Sequence, residues 1–180
     1  MLRYILGRAR SEREVRAYWG PVCADTVADA IGLGWWIGYH RDTDDFLGWW
    51  SLSPGEPIQV PPRCAEAGWR LAQQNWKQGY ATEGATALLD HGFRAVGLDR
   101  VWAETMAVNR PSRGVMAKLG MCHLRTDHRA WDHPLPGAEQ GEVVYEITRE
   151  EWLGEKRCGI VEAARIADPS PALFIPAERP

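Results

Sequence analysis

Residues 66–84 read EAGWRLAQQNWKQGYATEG. The first part alternates, with Ala67, Trp69 and Leu71 on one side and Glu66, Gly68 and Arg70 on the other. A period of two marks a strand with one buried face, which predicts a strand from Cys64 to Leu71. The last part opens a helical pattern in which Ala81, Ala85, Leu88, Leu89, Gly92 and Val96 share a face, with Phe93 beside it. Between the two lies Trp76-Lys77-Gln78-Gly79-Tyr80-Ala81-Thr82. A helix start leaves backbone N–H groups unpaired and carries partial positive charge. Gly79 and Ala81 are small enough for a ligand to approach the main chain, and Thr82 adds a hydroxyl. Together these features suit a pyrophosphate. A plain strand-to-helix turn with one glycine explains the same residues. Neither GxxxxGK[ST] nor GxGxxG is present, so a P-loop or a Rossmann dinucleotide site is not supported.

Upstream, Ser11-Glu12-Arg13-Glu14 has capping-box spacing and predicts a helix from Glu12 to about Trp19. A second short helix is expected around Ala24 to Ile31. Two aromatic runs, Trp35 to His40 and Phe46 to Leu52, flank the polar RDTDD and read as a hairpin. Pro54, Gly55, Pro57, Pro61 and Pro62 mark a loop. Downstream, Gly97 suits a helix end, and Arg100 to Val108 is a further strand. Asn109 can cap the next helix, with Pro111 in its first turn and Val115, Met116 and Leu119 as its apolar stripe. Met121 to Thr126 and Glu142 to Thr148 are the last strands. The order is that of a mixed α/β sheet domain spanning residues 1–153. Residues 154–180 turn to Ala, Pro and Glu and read as a tail, with GIVEAARIA its one helical stretch.

The chain has 180 residues, enough for one sizeable core. A net charge of -3 gives no electrostatic footprint for nucleic acid or an anionic membrane. No apolar run is long enough to span a bilayer, and MLRYILGRAR lacks the core and cleavage site of a signal peptide. Cys23, Cys64, Cys122 and Cys158 form no CxxC pair, so reduced thiols and a cytoplasmic location are expected. Ten tryptophans point to a large core and to a ligand cleft lined by indole.

Residues 66–84 resemble the acetyl-CoA-binding motif of the GNAT superfamily of N-acetyltransferases, whose pattern R/Q-x-x-G-x-G/A reads here from Trp76 to Ala81. Residues 100–121, RVWAETMAVNRPSRGVMAKLGM, resemble that superfamily's strand-loop-helix with N-x-x-S and K-x-G. The likeness is nearest to the branch that acetylates ribosomal-protein N-termini, and it runs from about Leu2 to Trp152. It implies an α/β (α+β) fold whose mixed, mostly antiparallel sheet carries a central splayed parallel strand pair and flanking helices. It implies acetyl-CoA as co-substrate, and an amine acceptor that is a small molecule or a protein N-terminus. No metal, nucleic acid or membrane is called for, and a homodimer is compatible with it.

By the same resemblance, backbone groups of Trp69 and Leu71 would pair with the pantetheine amides. The N–H groups of Lys77, Gln78, Gly79, Tyr80, Ala81 and Thr82 would hold the pyrophosphate. Asn109 would touch the pantetheine arm, although a simple N-cap explains it as well. Trp76 departs from the polar residue of the pattern and is expected to pack.

Attack by an amine on a thioester needs a proton acceptor, and the leaving thiolate benefits from a nearby acid. Glu66, where the family often carries an acid, is the candidate base; its alternative is a surface carboxylate paired with Arg70. Ser112 is the candidate acid, or the residue that places a water; its alternative is a first-turn helix hydroxyl. Many relatives carry Tyr where this chain has Met116. His123, His128 and His133 recur evenly but share no helical face, so structural or acceptor-side roles outweigh metal ligation. Relatives also begin with an additional strand and helix, so either the first strand is missing or the recorded start is late. That departure and Met116 keep a second reading open, a non-catalytic acyl-CoA-binding or regulatory domain.

Overall fold

The computed structural model describes residues 7–24, 30–55 and 63–154. The expected helix at Ala24 to Ile31, the segment at Leu2, the Pro57–Pro62 part of the loop and the tail lie wholly or largely outside them.

Helix α1 (Glu12–Ala24) precedes β1 (Gly34–Tyr39), β2 (Phe46–Pro54) and β3 (Cys64–Leu71). Then follow α2 (Tyr80–Asp90), β4 (Arg100–Met106), α3 (Arg110–Lys118), β5 (Cys122–Asp127), β6 (Glu142–Thr148) and α4 (Arg149–Trp152). The six strands form one sheet in the order β1-β2-β3-β4-β6-β5. Every neighbouring pair is antiparallel except β3 and β4. The strand expected from Cys64 to Leu71 is observed with those bounds. The strand from Arg100 stops at Met106, because residues 107 and 108 turn toward the cap of α3.

The capping box of α1 forms as expected: Ser11 Oγ accepts from Glu14 N–H at 3.3 Å, and Ser11 N–H donates to Glu14 Oε2 at 2.6 Å. The helix runs past Trp19 to Ala24, across Pro21. Proline removes one bond of the ladder without forcing the chain out of helix at once. No side chain of α1 is buried. It is held to the sheet by Trp19, edge-on to Trp35 at 4.7 Å and to Trp49 at 5.6 Å. Cys122 is disulfide-bonded, against the expectation of reduced thiols, whereas Cys23 and Cys64 stand outside any disulfide.

The two sheet faces differ in chemistry. Ala65, Ala67, Val101 and Ala103 are buried in one core with Leu52, Leu89, Phe93 and Met116. The register places Glu66 opposite Ser53 and Trp102, Gly68 opposite Ser51, and Arg70 opposite Trp49, all on the other face. The apolar face therefore receives α2, and the mixed face is left for polar work.

Candidate active site

β3 and β4 pair only at Cys64–Arg100, Ala65–Val101 and Glu66–Trp102. Beyond Glu66 both strands continue, to Leu71 and Met106, without pairing with each other. The result is a fork with roughly 15 Å of unpaired edge along β3. Glu66 sits at its vertex.

The chain reaches α2 from the end of β3 through a tight turn. Lys77 has φ 62° and Gly79 φ 94°, both in the left-handed region. At Gly79 this conformation, rather than space, calls for glycine, since no atom lies within 4 Å of the place a Cβ would take. Among the described residues, the N–H groups of Lys77, Gln78, Gly79, Tyr80 and Ala81 have no acceptor. Thr82 differs from expectation: its N–H is spent on Gly79 O at 2.9 Å, closing the first helical turn. Five free donors at a helix start fit a phosphate group.

Other expected contacts are placed differently. Trp76 does not pack inside; it is 45% exposed. Its indole N–H donates to Leu71 O at 3.0 Å, so that carbonyl already has one partner. Trp69 is half-buried against the core, and Tyr80 packs edge-on to His40 at 6.2 Å. Asn109 is the N-cap of α3. It accepts from Ser112 N–H at 3.4 Å and donates to Thr105 Oγ1 at 2.8 Å. Ser112 lies in the first turn, half-buried. Met116 is buried in the core. His123 lies on β5, 3.1 Å from Thr126 Oγ1. Among the described residues no group of three or more His, Cys, Asp or Glu is arranged to hold a metal ion.

Glu66 does not pair with Arg70, whose guanidinium stacks on the Trp49 ring at 4.9 Å. Burial, with the like charge of Glu104 added to it and Arg129 opposing, pushes the Glu66 carboxyl up to about 7. Burial, then a hydrogen bond to Glu104 and its charge, push Glu142 up to about 8. Arg129 bridges Glu104 and Glu142 at 2.9 and 3.3 Å. Glu104, Glu142 and Arg129 escaped the sequence reading. The one available signal was period-two spacing, which puts Glu104 on the face of Arg100 and Trp102. Arg129 also opens a cavity of about 450 Å³ lined by Trp131, Pro134, Leu135, Pro136 and Ala138.

A family model described as an acetyltransferase (GNAT) domain matches residues 1–122. A curated relative from Aspergillus fumigatus, FsC-acetyl coenzyme A-N(2)-transacetylase, is 42% identical over 139 residues. The match covers 75% of this chain and 57% of that protein, so the chain spans little more than half of that relative's length. Among solved structures, a GNAT-family acetyltransferase from Bacillus anthracis aligns with TM-score 0.67 at 24% identity, covering 83% of this chain and 82% of that one. A ribosomal-protein alpha-N-acetyltransferase in complex with coenzyme A aligns with TM-score 0.63 at 18% identity, covering 77% and 73%. At these identities the likeness to solved structures speaks for the fold.

Proposed function

The chain belongs to the GNAT acetyltransferase family, and from that premise we propose that it transfers an acetyl group from acetyl-CoA to a primary amine. The observation that carries the reading is Glu66, a desolvated carboxyl at the vertex of the strand fork, adjusted to about 7. A base with that value is half ionised at neutral pH and holds a proton well enough to take one from an amine.

Acetyl-CoA, when bound, supplies a thioester. The free N–H groups from Lys77 to Ala81 hold its pyrophosphate, and the unpaired edges of β3 and β4 receive its arm, with Trp69, Leu71 and Asn109 along the way. Thr82 contributes its hydroxyl. The acceptor approaches on the other face of the sheet, through the cavity beside Arg129. At Gly68, next to Glu66 on that face, the place of a Cβ is taken by Ser51 Oγ, 2.6 Å away. The amine nitrogen forms the amide bond as the C–S bond breaks, and Glu66 accepts the amine proton. Ser112 at the start of α3 donates a hydrogen bond, directly or through a water it places, to the departing thiolate, which takes its proton from solvent. Holding amine and thioester in line accounts for much of the acceleration. The relative's name, an N(2)-transacetylase, and a coenzyme A complex among the structural neighbours support an amine acceptor and this co-substrate.

Thiol release from acetyl-CoA with a panel of amines, polyamines and peptide N-termini tests the reading. Amine-dependent release is expected. Saturable acetyl-CoA binding with no release for any amine would favour the non-catalytic alternative, to which the buried Met116 would then be relevant.

A further inference from the structure

Four carboxylates and two arginines meet beside the fork. Asp127 is taken by Arg125, whose Nε lies 3.1 and 3.0 Å from its two oxygens. Arg129 stands just past the end of β5. Its Nη1 is 2.9 Å from Glu104 Oε1, and its Nη2 is 2.9 Å from Glu104 Oε2. That is a fork-on-fork pair, the geometry in which a guanidinium fixes a carboxylate most firmly. The same Nη1 reaches Glu142 Oε2 at 3.3 Å. The side chains of Glu104 and Glu142 are 12% and 19% exposed, so solvent screens this contact only in part. Glu66 has no hydrogen-bond partner among the described residues.

We propose that Arg129 is a positioning residue for proton transfer: by clamping Glu104 and Glu142 it leaves Glu66 as the one carboxylate at the fork free to take the amine proton. The inference rests on the reading of Glu66 as the base. Around Glu66 stand Ser53 from β2, Trp102 and Glu104 from β4, and Arg129 from beyond β5. Farther along β3, Arg70 is engaged with Trp49 and is influenced by Tyr18 and Arg10 from the α1 side. Arg129 is the cation that lowers the Glu66 carboxyl, against Glu104, which raises it. Without Arg129, the Glu104 charge would face Glu66 unopposed, and Glu66 would stay protonated at neutral pH. Arg129 also lines the cavity with Trp131, Pro134 and Leu135, so its ion pairs hold that wall to β4 and β6.

The full chain, labelled with 13C at glutamate carboxyls, is titrated by NMR, and Glu66→Gln identifies the resonance. In Arg129→Gln the Glu66 midpoint is expected to rise by about one pH unit or more. Arg129→Lys should restore most of it, and Glu104→Gln should move it the opposite way. The pH limb of kcat/KM for thiol release should shift with the midpoint, which loss of packing alone would not cause. A Glu66 midpoint unmoved in Arg129→Gln overturns the proposal. Should that variant fail to fold, a midpoint unmoved in Glu104→Gln overturns it equally. NMR needs no turnover, so a parent that titrates as expected but releases no thiol refutes the catalytic reading and not the clamp.

Discussion

Gly84→Ala looks favourable on local grounds and should be harmful. Gly84 lies inside α2, where alanine is better than glycine by about 0.8–1 kcal/mol. A Cβ there would lie 2.6 Å from Nε1 and 2.7 Å from Cζ2 of Trp50, and nearer still to Cε2. Trp50 is 5% exposed and cannot swing away. The opposite edge of its indole lies against Gly38 of β1, where a Cβ would meet Cη2 at 3.1 Å and Cζ3 more closely. The indole is wedged between two glycines, one on α2 and one on β1. Forcing a methyl into such a contact costs about 1–3 kcal/mol. Contacts this short put the cost at the upper end of that range, so against the helix gain a net loss of about 2 kcal/mol remains, or roughly 4–8 °C in Tm for a domain of this size. Relief by sliding α2 would break the Trp50 Nε1–Ala81 O bond, 3.2 Å long, and displace the donors at the helix start. Thermal melts and acetyl-CoA titrations should therefore both report a loss. An unchanged or higher Tm would refute the wedge.

Glu66→Gln should abolish the rise in rate with pH near 7 while leaving acetyl-CoA affinity intact; a parent-like profile would remove Glu66 from the chemistry. The same carboxyl makes a linkage prediction. Its folded value, about 7, lies above the ordinary value of 4.5, so its favourable contribution is complete below 4.5 and is lost as pH rises toward 7. Tm should fall across that window, and the fall should be shallower in Glu66→Gln. Asn109→Ala removes the cap of α3 and should cost about 1 kcal/mol in denaturant unfolding; no measurable loss would mean that the cap contributes nothing.

Strand β3, the turn after it and the helix start were legible because local periodicity and one glycine encode them. The hairpin was legible for the same reason. Helix α1, expected to end near Trp19, runs on to Ala24 across Pro21, since a proline weakens a helix without always ending it. The charge cluster was not legible. Glu66, Glu104, Glu142 and Arg129 come from three strands and a loop, and only the sheet register brings them together. Arg70 was the obvious partner for Glu66 in sequence, two residues along one face from Gly68, yet the Trp49 ring holds it instead. Trp76 looked like packing because tryptophan usually is buried, but its indole reaches a strand carbonyl from an exposed position.

Calorimetric titration of acetyl-CoA into the parent and Gly79→Leu asks whether the turn at the start of α2 holds the pyrophosphate. Nothing lies within 4 Å of the place of a Cβ at position 79, but the φ of 94° strains any L side chain there, so leucine would disturb the turn that carries the free N–H groups. One saturable site is expected in the parent, and a loss of at least about tenfold, or 1.4 kcal/mol, in a variant that still melts cooperatively. Equal affinity in the two proteins would contradict that role of the turn.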